Sequence, residues 1–498
     1  MATYKKNKLK NKLLYLAIYL FFYIFVANYS FMEIVGRTRE RMLFDQLVKE
    51  DKSHFAAVYG RRRIGKTFLI RKHFTTFDFY HTGIANVEMQ DQLTAFYKTA
   101  QTFTSKKIDQ PTNWFDAFDI LKKIITSSRK KKKIIFLDEL PWLDTPRSNF
   151  VAALEYFWNG WASNRNDILL IVCGSATSWI VKKLFNNRKG LHNRITQKIH
   201  LNPFTLQETE LFLKSRAIQW NRYQIIKCYM VFGGVPFYLE ALEKGKSIDQ
   251  NIDYLLFDKD GLLHNEHQNL YHALFTNAEN YIEIIKILAT KNKGLTREEL
   301  VQKTKLKTGG TLSTILNDLI LSDFIKVYLP YGKKVRESLY QLTDAYSLFY
   351  YNFLNNKKAE KGSWLQNLDS PKIRAWSGYA FEMVALQHLD KIKETLGISG
   401  VQTEVSSWVC TKKETNAQID LIIDRRDQVI NVFEIKYSLD NYLITSKYAK
   451  ELRQKIAVFQ RETKTRKAIY FTMLTTYGLV ENEHSGMVQN SLTMDNLF

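Results

Sequence analysis

Residues Gly60–Thr67 read GRRRIGKT and follow directly on HFAAVY, residues 54–59. The octet fits the pattern GxxxxGK[ST], set behind an apolar run of the kind that feeds such a loop from a strand. Its glycines let successive backbone N–H groups turn toward phosphate oxygens, Lys66 brings a point charge to the β and γ oxygens, and Thr67 offers a hydroxyl to Mg²⁺. KTFLIRKHF then continues as a helix whose positive N-terminal end faces the anion. The expected nucleotide contacts are Gly60, Arg61, Arg62, Arg63, Ile64, Gly65, Lys66, Thr67 and Phe68. Chance also produces so short a pattern, so a second motif has to decide.

That motif is IIFLDE, residues 134–139. An apolar run ending in two acids reads as a buried parallel strand reaching the carboxyl edge of a sheet. Asp138 is placed to hold the Mg²⁺ shell and Glu139 to orient the attacking water. The two motifs in this order imply an ATP site with Mg²⁺, and Lys66 and Glu139 are its catalytic candidates.

Working outward, the runs FAAVYG, FDFYHTG, KKIIFLDEL, DILLIVCGS and ITQKIHL alternate with helical patterns. Such alternation predicts a parallel sheet with helices on both faces. WFDAFDILKKIITSS places Phe115, Phe118, Ile120, Leu121, Ile124 and Ile125 at helical intervals and is expected to pack on that sheet. The lysine run 130–133 reads as a solvated turn ahead of a strand. Ser175, at the end of the DILLIVCGS run, would touch the γ-phosphate or its water, or else cap a helix. Arg194, ahead of the last strand, would reach the γ-phosphate of its own or a neighbouring subunit, or else lie on the surface.

Beyond Pro203 the pattern turns helical, opening on Thr205 and Glu208 at capping-box spacing. Gly233, Gly234 and Pro236 break and restart the chain, as suits a lid hinging over the nucleotide. Residues 279–355 then read as three helices followed by a two-stranded wing, a winged helix-turn-helix. Its third helix carries Thr308, Thr311, Ser313 and Thr314 near its start, and its wing carries Lys333, Lys334 and Arg336. Either DNA or a partner protein fits such a unit.

The segment AQIDLIIDRRDQVINVFEIKYS, residues 417–438, predicts two strands joined by a polar turn. Alternation puts Glu434 and Lys436 on one face, and a hairpin centred near Arg426 brings Asp420 opposite the Phe433–Glu434 region. Carboxylates of this sort suit a hard divalent cation, and a neighbouring lysine can orient water on a phosphodiester. Glu382 is the candidate third acid, and Gln454 and Lys455 face the same cleft. The bland alternative is a strand face laced with a Glu434–Lys436 salt bridge.

The bulk numbers fit several folded domains. The chain has 498 residues, 45% hydrophobic and 24% charged, and only 7 prolines, which excludes extended disorder. A net charge of +22 favours an anionic partner such as nucleic acid or an acidic membrane face. Cys173, Cys228 and Cys410 are scattered without metal-ligand or disulfide spacing, a reduced, cytoplasmic pattern, and Cys173 reads as a core thiol.

Residues Leu13–Phe31 would span about 28 Å as a helix, close to the hydrocarbon thickness of a bilayer. Read as an anchor behind Lys5–Lys12, they would export everything downstream, away from ATP. The preferred expectation is a non-functional extension ahead of a start at Met32, with membrane association as the alternative.

GRRRIGKT with VGR upstream, IIFLDELPWL, GGVPFYL and the winged-helix stretch together resemble the prokaryotic AAA-like ATPases of the STAND class, the archaeal-type ATPase family, from Glu33 to the end. The resemblance implies a C-terminal domain similar to PD-(D/E)xK nucleases, with GYAFE, QID and EIK at matching positions and Ile419 in place of the proline. It makes Lys66 and Thr67 the Walker A contacts, Asp138 and Glu139 the Walker B pair, and Asp420, Glu434 and Lys436 the nuclease core assisted by Glu382. The expected fold is α/β: a P-loop parallel sheet at 33–204, a helical lid at 205–278, a winged helix-turn-helix at 279–355 and a nuclease-like α/β domain at 365–498, behind the extension 1–32. The expected function is an ATP-dependent switch that repositions the last two domains on DNA, alone or as a homo-oligomer. The alternative is a regulatory scaffold whose inactive C-terminal domain docks a partner protein.

Overall fold

Five short strands, β1 (His54–Tyr59), β2 (Phe79–Thr82), β3 (Lys133–Asp138), β4 (Ile168–Gly174) and β5 (Gln197–His200), form an all-parallel sheet in the order β2-β3-β4-β1-β5. The computed structural model describes residues 33–186, 193–304, 306, 310–355, 359–410 and 417–498. The apolar stretch 13–31 lies outside them. Among the described residues no helix is long and apolar enough to cross a membrane.

The central strands are apolar because both faces of the sheet are covered. Phe55, Ala57, Ile135, Leu137, Leu170 and Val172 face the helices Met89–Thr102, Trp114–Ser127 and Phe150–Gly160. The alternate residues Ala56, Val58, Phe136, Leu169, Ile171 and Cys173 face the helices Thr38–Lys49 and Lys66–His73. Asn113 starts the helix Trp114–Ser127 by accepting from the Asp116 N–H at 3.1 Å. Within that helix Trp114, Ala117, Phe118, Leu121, Ile124 and Ile125 form the buried stripe, whereas Phe115 is 40% exposed. Phe115 stands about 100° round from Trp114 on the helix, outside that stripe, with its ring against Tyr156.

The lysine run is less solvated than expected. Lys132 Nζ donates to the carbonyls of Glu50 and Lys52, both at 2.7 Å, and buried Lys133 is the first residue of β3, paired with Asp167 at 2.7 Å. These ammonium groups tie off backbone carbonyls and an acid at the amino end of the sheet.

Helices then run from Leu206 to Leu274, the first opened by a Thr205–Glu208 capping box. Gly233 and Gly234 both take positive φ, 62° and 67°, and Pro236 starts the next helix. A Cβ on Gly234 would lie 2.2 Å from the Phe204 carbonyl oxygen, so the break is also a close-packed junction. The segment expected to hinge over the nucleotide as a lid shares one hydrophobic core with the helix Ala345–Phe349 and one face of the C-terminal sheet.

The helices Ala278–Leu288, Arg297–Lys303 and Gly310–Leu321 surround a separate core. Beside them β6 (Leu295–Thr296), β7 (Ile325–Tyr328) and β8 (Leu339–Leu342) form a small antiparallel sheet in the order β6-β8-β7. Thr308 lies outside the described residues. The C-terminal sheet comprises β9 (Thr403–Cys410), β10 (Ala417–Arg425), β11 (Val429–Lys436), β12 (Ala468–Thr475) and β13 (Asn490–Thr493) in the order β13-β12-β11-β10-β9. Its first three strands are antiparallel and its last pairings parallel. The helices Pro371–Gln387 and Ser446–Thr463 flank it.

Candidate functional site

The loop Gly60–Gly65 leaves the carboxyl end of β1, the edge where open α/β sheets bind ligands. Gly60 has φ 136°, and a Cβ there would lie 2.4 Å from the Leu201 carbonyl oxygen. Gly65 has φ 82° and open space where its Cβ would be, which is the cradle itself. Buried Lys66 donates from Nζ to the carbonyls of Gly60 and Arg61, both at 2.9 Å, and burial pulls its pKa below the usual lysine value. Thr67 Oγ1 donates to both Asp138 oxygens at 3.1 and 3.0 Å, so hydroxyl and carboxylate stand together from different elements. These hard oxygens suit Mg²⁺, whose other ligands would be phosphate and water. Glu139 has φ 45° and turns sharply after β3, and its carboxylate accepts from the Ser175 N–H at 3.1 Å and the Ser175 hydroxyl at 3.0 Å. Ser175 therefore holds the acid at the tip of the neighbouring strand.

The other loop side chains do not all face the cradle. Arg61 is fully buried and pairs with Asp344 at 2.5 Å, its guanidinium above the Phe324 ring. Arg63 pairs with Glu266 at 2.5 Å and lies over Phe237. Their guanidinium groups are committed to distant acids, which leaves only their backbone for phosphate. Ile64 is buried in the core beneath the loop, and Arg62 and Phe68 are half-buried. Arg194 is exposed. Because β5 runs parallel to β1, with Gln197 beside Ala56, Arg194 lies at the end of the sheet opposite the loop. That placement points Arg194 away from the phosphate loop of its own chain.

In the C-terminal unit Leu421 pairs with Phe433, which sets Asp420 across from Glu434. The carboxylate of Glu434 is buried and takes Lys455 Nζ at 2.6 Å, Tyr448 Oη at 2.6 Å and Lys436 Nζ at 2.9 Å. Burial would raise its pKa, and the two ammonium groups outweigh that and hold it low. Asp420 pairs with Lys293 at 3.1 Å. Glu382 is pushed up to about 8 by burial and then by the Asp420 charge. Gln454 is exposed. Among the described residues no three His, Cys, Asp or Glu side chains are disposed to hold a metal ion. Glu382, Asp420 and Glu434 are thus neighbours without forming a cation cage, and lysines occupy the carboxylates of Asp420 and Glu434.

Residues 35–242 match the family described as an ATPase domain predominantly from Archaea. This stretch is an ATPase domain. The chain is 24% identical to an uncharacterized protein of Methanocaldococcus jannaschii over 81% of this chain and 87% of that one. Its structure is similar to the Walker-type ATPase of Pyrococcus abyssi, at 16% identity and a TM-score of 0.44, covering 64% of this chain and 96% of that one. It is also similar to the ORC2 protein of Aeropyrum pernix, at 14% identity and a TM-score of 0.41, covering 72% of this chain and 97% of that one.

Three contacts of the ATPase domain escaped the sequence reading. Glu266 and Asp344 lie far along the chain from the loop arginines they bind, and no local pattern marks them. Cys173 is buried as the sequence implies, and what escaped is its contact with Asp138. Its thiol donates to Asp138 Oδ1 at 2.6 Å, and burial, then the Asp138 charge, raise its pKa so that it stays a donor. Cys173→Ala removes that donor and leaves a small void, and is expected to lower stability in urea by about 1–2 kcal/mol, with Cys173→Ser recovering part of it.

Proposed function

We propose that this chain is an ATP-binding and ATP-hydrolysing switch of the AAA-like STAND type, acting on DNA through a winged helix-turn-helix and a nuclease-like domain. ATP with Mg²⁺ occupies the cradle, held by Lys66, Thr67 and Asp138, while Glu139 orients water once released from Ser175. The observation that carries the switch reading is the pair of bridges from the phosphate loop, Arg61 to Asp344 and Arg63 to Glu266. Any movement of the loop on binding phosphate is transmitted to the lid and to the strap that follows β8. A second link leaves the same site. The segment after Ser175 carries Lys182, which pairs at 2.6 Å with Asp318 on the third helix of the winged unit.

The DNA reading rests on that unit. Its third helix leaves Thr311, Ser313, Thr314 and Asn317 exposed, and the hairpin loop after β7 exposes Lys333, Lys334 and Arg336. Short polar side chains on a helix flanked by a basic wing suit a major groove and its phosphates. The nuclease-like reading rests on Asp420, Glu434 and Lys436 on adjacent strands with Glu382 on the flanking helix.

ATP turnover measured with and without duplex DNA at low salt tests the proposal. DNA is expected to change turnover several-fold and to bind more weakly as salt rises, because phosphate contacts release counterions. Mg²⁺- or Mn²⁺-dependent nicking of plasmid is expected to disappear in Asp420→Asn and in Lys436→Ala. No DNA binding and no nicking under any condition would leave the scaffold reading, in which the lysine-paired acids are structural and the winged unit docks protein.

A further inference from the structure

Lys293 stands on the turn between the helix Ala278–Leu288 and β6, outside the C-terminal domain, yet its ammonium touches Asp420. The turn is held by several independent bonds. The Asn292 carbonyl accepts from Tyr379 Oη at 2.7 Å and from Gln341 Nε2 at 2.9 Å, and the Lys293 carbonyl accepts from Tyr328 Oη at 2.7 Å. Gly294 has φ 82°, and a Cβ there would lie 2.3 Å from the Tyr340 carbonyl oxygen. Tyr379 sits one helical turn before Glu382, so the helix that supplies the third acid also grips the turn.

A surface ion pair contributes little to stability and requires no such anchoring. Here the backbone is positioned first and the side chain is aimed into a cleft of about 1300 Å³, lined by Lys293, Glu382, Asp420 and Lys436 and reaching Arg61 and Asp344 at its other end. Lys436 and Lys455 are committed to Glu434. Among the described residues Lys293 is the cation in contact with Asp420.

We propose that Lys293 is a resident plug: its ammonium takes the place of a divalent cation between Asp420 and Glu382, and the site accepts metal only when the winged unit withdraws the turn. This rests on the nuclease-like reading for what the opened site would do, but not for the exchange of one cation for another. Removing the ammonium leaves the acids with one more uncompensated negative charge, which favours a divalent ion.

The test is Mn²⁺ binding to the full chain without nucleotide, followed by electron paramagnetic resonance, for the wild type, Lys293→Met, Lys293→Arg, Tyr379→Phe and Lys293→Met/Asp420→Asn. Lys293→Met is expected to gain a Mn²⁺ site about tenfold or more tighter than any in the wild type at this cluster. Tyr379→Phe, which frees the turn, is expected to gain part of it, whereas Lys293→Arg and the double variant stay weak. ATP turnover, whose phosphate-loop residues none of these substitutions changes, reports that each variant is folded. Equal Mn²⁺ binding by wild type and Lys293→Met, whether both bind or neither does, overturns the plug. Plasmid nicking separates the two ideas. A gained metal site without nicking supports the plug and removes the nuclease reading. Nicking by wild type at the rate of Lys293→Met keeps that reading and removes the plug.

Discussion

Lys66→Ala is expected to lower ATP turnover by at least about 100- to 1000-fold, the loss that follows removal of one preorganised charge stabiliser from a transition state. The same substitution is expected to leave the nucleotide-free protein as stable as before, or more so. The Lys66 ammonium is buried against the carbonyl oxygens of Gly60 and Arg61, and among the described residues no carboxylate lies within hydrogen-bonding distance of it. A buried charge so placed costs free energy that only the anion returns. Thermal melting with and without ATP and Mg²⁺ checks both halves: the wild type gains stability with ligand, and Lys66→Ala does not. Glu139→Gln is the companion, expected to keep the ligand-induced gain while losing turnover. A Lys66→Ala protein that hydrolyses ATP at the normal rate would remove the cradle from the reaction.

What was legible in the sequence was whatever short-range pattern encodes. HFAAVY, IIFLDE and ILLIVCG are too apolar to be anything but strands covered on both faces, and the glycines at 60 and 65 announce backbone that other residues cannot follow. The hairpin was also readable to within a residue: alternation and turn residues centre it near Arg426 with Asp420 opposite the Phe433–Glu434 region, and the observed register centres it on Asp427 with Asp420 across from Glu434. What was not legible depends on partners far apart in the chain. Arg61 and Arg63 sit inside a phosphate-binding motif, which by itself points them at phosphate, but their side chains answer to Asp344 and Glu266. Lys293 carries no local mark of its approach to Asp420, so acids that look like a cation site are found with ammonium groups already in place. Arg194 is different, because its position was derivable. A residue ahead of a strand parallel to β1 must lie at the end of the sheet away from the loop that follows β1.

Asp344→Ala is expected to destabilise the protein by about 3–5 kcal/mol, because it strands a fully buried guanidinium without its counter-charge. A further contribution of about 1 kcal/mol comes from the lost cap, since Asp344 accepts from the Ser347 N–H at 2.9 Å to start the helix Ala345–Phe349. Asp344→Asn, which keeps the cap and the shape, is expected to fall between wild type and alanine in urea unfolding. Burial would raise the Asp344 pKa, and the Arg61 charge outweighs it and holds the carboxyl below the usual range. The sign follows: a depressed folded pKa contributes stability that is present above the unfolded value of about 4 and is lost only as pH falls through the lower folded one. The bridge is therefore expected to be intact throughout the neutral range, and stability attributable to it should not titrate between about pH 5 and 8. Arg61 is the second residue of the phosphate loop, so releasing its guanidinium should also loosen the backbone that faces the phosphates. ATP affinity is expected to weaken in Asp344→Ala although the substitution lies outside the cradle, and the double variant Arg61→Met/Asp344→Leu, which removes both charges, is expected to recover much of the stability. Recovery of stability without recovery of ATP affinity would show that the bridge serves the loop's geometry as well as the fold; loss of neither in Asp344→Ala would mean that the loop and the strap after β8 are not coupled.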